Sequence, residues 1–116
     1  MYRRKPEKVK KLSYTEIQTP PVSPAGDLES FQKWVQANVR YTDQMKSDGI
    51  RGEVILSFAI DKKGKLIDKK VIGKLSEEAD KEALRVLSSS SAWKPGVHDG
   101  KSMKTTMIIS ISFGNE

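Results

Sequence analysis

Cysteine is absent from this sequence, which removes disulfides, thiolate metal sites and thiolate nucleophiles from consideration at the outset. Histidine is almost absent as well. The single one, His98, stands among Pro95, Gly96, Asp99 and Gly100, which describe an exposed turn rather than a catalytic or ligating setting. Metal centres draw on several donors at characteristic spacing, and the sequence supplies no such set. Long apolar runs are missing too. No window approaches the roughly 20 apolar residues that span a bilayer, and the basic start, Met1 to Ile17, is not followed by the apolar core of a signal peptide. An exported parent protein is therefore expected to carry its targeting segment outside this chain.

Positive charge is what the sequence has in excess, a formal net of +6, and its distribution decides what it means. Residues 1–11 hold Arg3, Arg4, Lys5, Lys8, Lys10 and Lys11 against Glu7 alone, a net of +5. The remaining 15 basic and 14 acidic side chains leave the body of the chain nearly neutral. A nucleic-acid surface would gather its charge on the folded part, with aromatic residues for stacking, so no nucleic-acid partner is expected. Residues 1–24 change from basic to Ser/Thr/Pro-rich and end in Pro20, Pro21 and Pro24, the composition of an extended linker or tail. The domain proper is expected over residues 25–116.

Within that domain Asp27 offers an N-cap, and Leu28, Phe31, Val35 and Val39 recur at helical spacing. A short helical turn over residues 41–48 precedes Gly49. Val54, Leu56, Phe58 and Ile60 then alternate with Glu53, Ile55, Ser57 and Ala59 in a first strand. Asp61-Lys62-Lys63-Gly64 is a turn signal, and a second strand follows over residues 66–73. Its apolar residues fall on both parities, which fits either a bulge or burial on two sides. Ser76 caps a second helix with the stripe Ala79, Ala83, Val86 and Leu87, and Pro95-Gly96 ends any continuation. A last strand over residues 103–113 has the clearest two-residue period: Met103, Thr105, Met107, Ile109, Ile111 and Phe113 on one face, with Lys104, Thr106, Ile108, Ser110 and Ser112 on the other. The order predicts an α+β domain. Its antiparallel-type sheet has three strands in the order 2-1-3, with two helices on one face and the last strand at an edge.

Catalytic chemistry is not evident. Asp61 with Asp68, and Glu77 with Glu78 and Asp80, read as a turn aspartate and a helix-start acidic cluster rather than an acid–base pair. Ser88 to Ser91 has no accompanying base, and Gly49-Ile50-Arg51-Gly52 is too short for a phosphate loop. No enzyme activity, cofactor or metal is expected.

Several motifs in order resemble those of the TonB C-terminal domain family, particularly the form common in Bacteroidetes. They are Pro21-Val22-Ser23-Pro24-Ala25-Gly26 before helix one, Asn38-Val39-Arg40-Tyr41 at its end, and Gly49 to Val54 leading into strand one. Phe58-Ala59-Ile60-Asp61 with Gly64, Asp80 to Leu87, and Trp93-Lys94-Pro95-Gly96 with Gly100-Lys101 complete the set, before a strand ending Ile111-Ser112-Phe113. Ala25, Thr42 and Ala79 depart from the family pattern at turns and helix starts. Trp93, Tyr41 and Phe58 are expected to pack in the core rather than to bind.

The resemblance implies a non-enzymatic periplasmic domain of an inner-membrane-anchored protein. Such a domain captures an extended segment of an outer-membrane receptor by strand addition and is driven by an inner-membrane proton motor reached through a region absent from this chain. The partner-binding edge it implies is Lys104, Thr105, Thr106, Met107, Ile108, Ile109, Ser110, Ile111 and Ser112. About five net hydrogen bonds contribute ~2.5–7 kcal/mol, against ~1–2 kcal/mol for ordering each peptide residue, so capture is expected to be weak and reversible. Two alternatives use the same fold without force: a sensory or interaction domain on a larger membrane protein of the metallopeptidase signalling type, and a self-associating domain that forms a homodimer through its free edge.

Overall fold

In the computed structural model, which describes residues 11–114, the elements follow in the order β1 (Lys11–Ser13), α1 (Leu28–Asn38), α2 (Asp43–Ser47), β2 (Gly52–Ile60), β3 (Leu66–Gly73), α3 (Glu77–Ser88), β4 (Gly96–His98) and β5 (Lys101–Phe113). The alternation that marks β2 and β5 in the sequence makes them partners. They pair antiparallel without a break from Gly52 opposite Phe113 to Ile60 opposite Thr105. β3 pairs antiparallel with the other side of β2. The order β3-β2-β5 is the expected one, with β2 in the centre.

The three-stranded expectation is short by two small strands. β1 adds to the outer side of β5, parallel to it, with Leu12 opposite Thr105. β4 folds back on the start of β5, with Gly96 opposite Met103. Each spans three residues and is held by backbone pairing, so neither leaves a side-chain period to read. Residues 11–24, expected as part of an extended linker, lie against the sheet in consequence. Thr19 bridges Val97, Val22 bridges Lys94, and Ile17 is buried. The basic residues 1–10 of that linker fall outside the described residues.

Parity fixes the core. Val54, Leu56, Phe58 and Ile60 of β2 and Met107, Ile109, Ile111 and Phe113 of β5 all lose essentially all contact with solvent beneath the helices. α1 adds Phe31 and Val35, α2 adds Met45, and α3 adds Ala79, Ala83, Val86 and Leu87. The helices begin where the sequence supplies caps: the Asp27, Thr42 and Ser76 side chains accept from the backbone N–H groups of Ser30, Met45 and Ala79. At the centre Phe31 meets Trp93 edge-on with ring centroids 4.7 Å apart, and Phe58 closes the cluster at 5.8 Å from Phe31 and 5.9 Å from Trp93. Trp93 is thus a core anchor.

The β2–β3 turn depends on Gly64. Its φ is +84°, and a Cβ there would lie 2.0 Å from the Trp93 carbonyl oxygen, so the turn closes tightly under the tryptophan only without a side chain. The mixed parity of β3 has a local cause. Its pairing with β2 shifts register twice, and Asp68 adopts a φ of +54°. A bulge, and not double-sided burial, explains the sequence pattern.

Truncating Phe31 to alanine removes the ring on which the aromatic cluster closes. Urea denaturation is expected to show a loss of about 3–5 kcal/mol, a large share of the ~5–15 kcal/mol typical of a small domain. A second expectation concerns acid. Glu82 accepts from the Arg85 guanidinium through both carboxylate oxygens at 2.7 Å, and from the Arg40 backbone N–H at 2.7 Å, which ties α3 to the end of α1. The Arg85 hydrogen bonds chiefly, aided by the Arg40 N–H, hold its carboxyl below the ordinary glutamate range. A lowered folded-state pKa stabilises fully above the unfolded value and is lost as pH falls through the folded value. Glu82→Gln is therefore expected to flatten the decline of the urea midpoint below about pH 4, and an unchanged acid slope would count against this tie.

Candidate functional site

The outer side of β5 is where the fold presents main-chain groups to solvent, and the unbroken β2–β5 register determines which ones. In an antiparallel strand, backbone groups point alternately to one neighbour and the other. The Thr106 carbonyl accepts from Tyr14 N–H at 3.0 Å, and Ser110 and Ser112 N–H donate to side chains of α1, so the even-numbered residues face outward. Thr105, Met107, Ile109 and Ile111 turn their backbone toward β2 and their side chains into the core, where all four are buried. Of the nine residues expected to form a docking edge, these four support the strand but offer the outer side nothing.

Four of the five outward residues are covered, by two different means. Lys104 and Thr106 face β1, whose pairing runs from Lys11 opposite Lys104 to Ser13 opposite Thr106. The Lys104 ammonium reaches across the open face of the sheet to Asp68 on β3, at 2.7 Å. This third of the rim is therefore taken by the chain itself, contrary to the expectation of a free edge from Lys104 onward. β1 stops there because the chain turns away at Tyr14. Glu16 accepts from the Ser13 backbone N–H at 3.0 Å and from the Ser13 hydroxyl at 2.9 Å. These bonds, the backbone one first, pull the Glu16 carboxyl below its ordinary pKa. The Gln18 N–H donates to His98 Nδ1, and the Gln18 side chain brackets Asp99, which fastens the arm to the end of β4. The lone histidine is thus part of a structural clasp.

At the far end α1 covers the rim with side chains. Ser110 N–H donates to Gln32 Oε1 at 2.9 Å, Ser112 N–H donates to Gln36 Oε1 at 2.8 Å, and Gln36 Nε2 donates to the Ser112 carbonyl at 2.8 Å. Between arm and glutamines lies Ile108, which no strand of the described residues faces from the outer side. It is 58% exposed, the highest value among the large hydrophobic residues described. Beside it opens a cavity of about 350 Å³ lined by Tyr14, Leu28, Met107 and Ile108. Gln32, Gln36 and Tyr14 were not singled out in the sequence for this site. Their only signal was that Leu28, Gln32 and Gln36 share one helix face at intervals of four.

Among the described residues no group of three or more His, Asp or Glu side chains could hold a metal ion, and no helix is long and apolar enough to cross a membrane.

The family described as Gram-negative bacterial TonB protein C-terminal matches residues 37–114. No curated protein matches the chain. The NMR solution structure of the Helicobacter pylori TonB C-terminal domain is similar in two lengths. The shorter is 26% identical with a TM-score of 0.59, covering 75% of this chain and 91% of that one. The longer, at 24% identity and a TM-score of 0.60, covers 77% of this chain and 80% of that one, a likeness that speaks to fold alone. With the β3-β2-β5 order, the helices on one face and the Trp93-to-Gly100 segment in place, the chain belongs to the TonB C-terminal domain family, a family of non-enzymatic protein-interaction domains.

Proposed function

We propose that this chain is the periplasmic capture domain of an inner-membrane-anchored energy transducer, taking up an extended segment of an outer-membrane receptor beside β5. One observation carries this reading: the outward backbone groups of Ile108 lie on the rim of the sheet with no strand of the described residues against them. The docking stretch contracts from residues 104–112 to Ile108–Ser112, since β1 already pairs with the beginning. An incoming strand would continue the row that β1 starts. A pull directed along β5 would then load its hydrogen bonds together, and a proton-driven motor reached through a region preceding this domain would supply the pull.

The opposite rim suits docking less. β3 is bulged and carries exposed Lys65, Lys69, Lys70 and Lys74 along or beside it, features that discourage edge-to-edge pairing. Self-association through β3 is disfavoured for the same reason.

The test is a titration of isotope-labelled chain with short peptides from the N-terminal segments of candidate outer-membrane receptors. Chemical-shift changes are expected over residues 107–113 and in the first half of α1. Changes confined to α3 and absent from 107–113 would contradict the proposal. Ile108→Pro sharpens the test. Its N–H faces outward, so proline there leaves the β2–β5 ladder intact while blocking the rim. Peptide affinity is expected to fall at least about tenfold, with the unfolding midpoint little changed.

A further inference from the structure

The glutamines of α1 stand where a partner strand would stand. A side-chain amide carries the same donor and acceptor as a peptide unit, and Gln36 uses both on one residue, accepting from Ser112 N–H and donating to the Ser112 carbonyl. The match is metrical as well. Four residues of helix advance about 6 Å and two residues of strand about 6.8 Å, so successive turns of α1 meet successive outward residues of β5. Gln32 faces Ser110 and Gln36 faces Ser112. The next position back in the row is Leu28, which has no amide to offer and instead lines the cavity beside Ile108. The rim is open where the helix row turns apolar.

Resting on the capture reading above, we infer that Gln32 and Gln36 are place-holders for the partner: their amides occupy the β5 backbone groups that an extended peptide takes, and capture proceeds by displacing them. The ligand is a short extended peptide pairing at Ile108, Ser110 and Ser112. It meets Ile108 uncovered and must release the glutamines to extend further. Without them Ser110 and Ser112 would present unpaired donors beside an exposed isoleucine, an invitation to unwanted strand pairing. With them, pairing at the Ser110 N–H and at both backbone groups of Ser112 replaces an existing bond, which keeps capture reversible and makes the two glutamines determinants of affinity.

Methionine has the length and apolar stem of glutamine without the amide, so Gln32→Met, Gln36→Met and the double variant are the test. The probe is a short synthetic peptide of alternating threonine and valine, measured against the full chain by NMR. In the free variants the Ser110 and Ser112 amides are expected to exchange with solvent faster. Peptide affinity is expected to rise between about twofold and tenfold for each amide removed. A purely structural role would instead lower the unfolding midpoint and leave affinity unchanged or weaker, and that result would overturn the inference. Should the variants fail to fold, the wild-type chain still decides. On saturation with peptide the Gln36 side-chain NH₂ signals are expected to move to the positions of free glutamine, and signals that stay in place would overturn displacement. Binding at residues 107–112 with no effect of either substitution would sink this inference alone. Failure of this peptide and of the receptor-derived peptides alike to bind the wild type at those residues would sink the capture proposal together with it.

Discussion

The nine-residue antiparallel ladder between β2 and β5 is the constraint from which the rest follows. Because it runs without a bulge, side-chain parity stays constant from Thr105 to Phe113, and every odd-numbered residue of β5 over that span goes under the helices. The same parity sends the backbone groups of the even-numbered residues to the rim. A slip of one residue would expose the core face and turn the outer row inward. The bulge that the domain does contain lies between β2 and β3, where it bends the opposite edge and leaves the β5 side regular.

The two rims of the sheet are managed by different means. On β3 the protection is charge and irregularity, with exposed lysines and a positive φ at Asp68. On β5 it is hydrogen-bond substitution: a three-residue strand from the chain's own arm at one end, and side-chain amides from α1 at the other. Charge and irregularity discourage strand pairing in general. Substitution can be exchanged for a better partner, since the groups involved are already arranged as a strand neighbour would require. That difference fits a domain that holds one edge in reserve.

Much of this is legible in the sequence. The alternation in β5, the caps at Asp27 and Ser76, the Gly64 turn and the aromatic residues at positions 31, 58 and 93 each express a local rule that the tertiary structure obeys. The bulge was visible only as disorder in the parity of β3, because the signal lies in the backbone of Asp68 and not in its identity. The arm was missed for a related reason. Lys11-Leu12-Ser13 has no strand period, and its pairing with β5 is parallel and remote in sequence. Gln32 and Gln36 were silent. Glutamine on an exposed helix face is ordinary, and it acquires meaning only once Ser110 and Ser112 are known to lie beside it.

Intermolecular nuclear Overhauser contacts between the labelled chain and a bound receptor-derived peptide would test the rim most directly. Strand addition requires close main-chain contacts from the peptide to Ile108, Ser110 and Ser112 in a two-residue rhythm, with none to the protons of β3. Contacts gathered on β3, or on the outer faces of α1 and α3 with no such rhythm along β5, would contradict it.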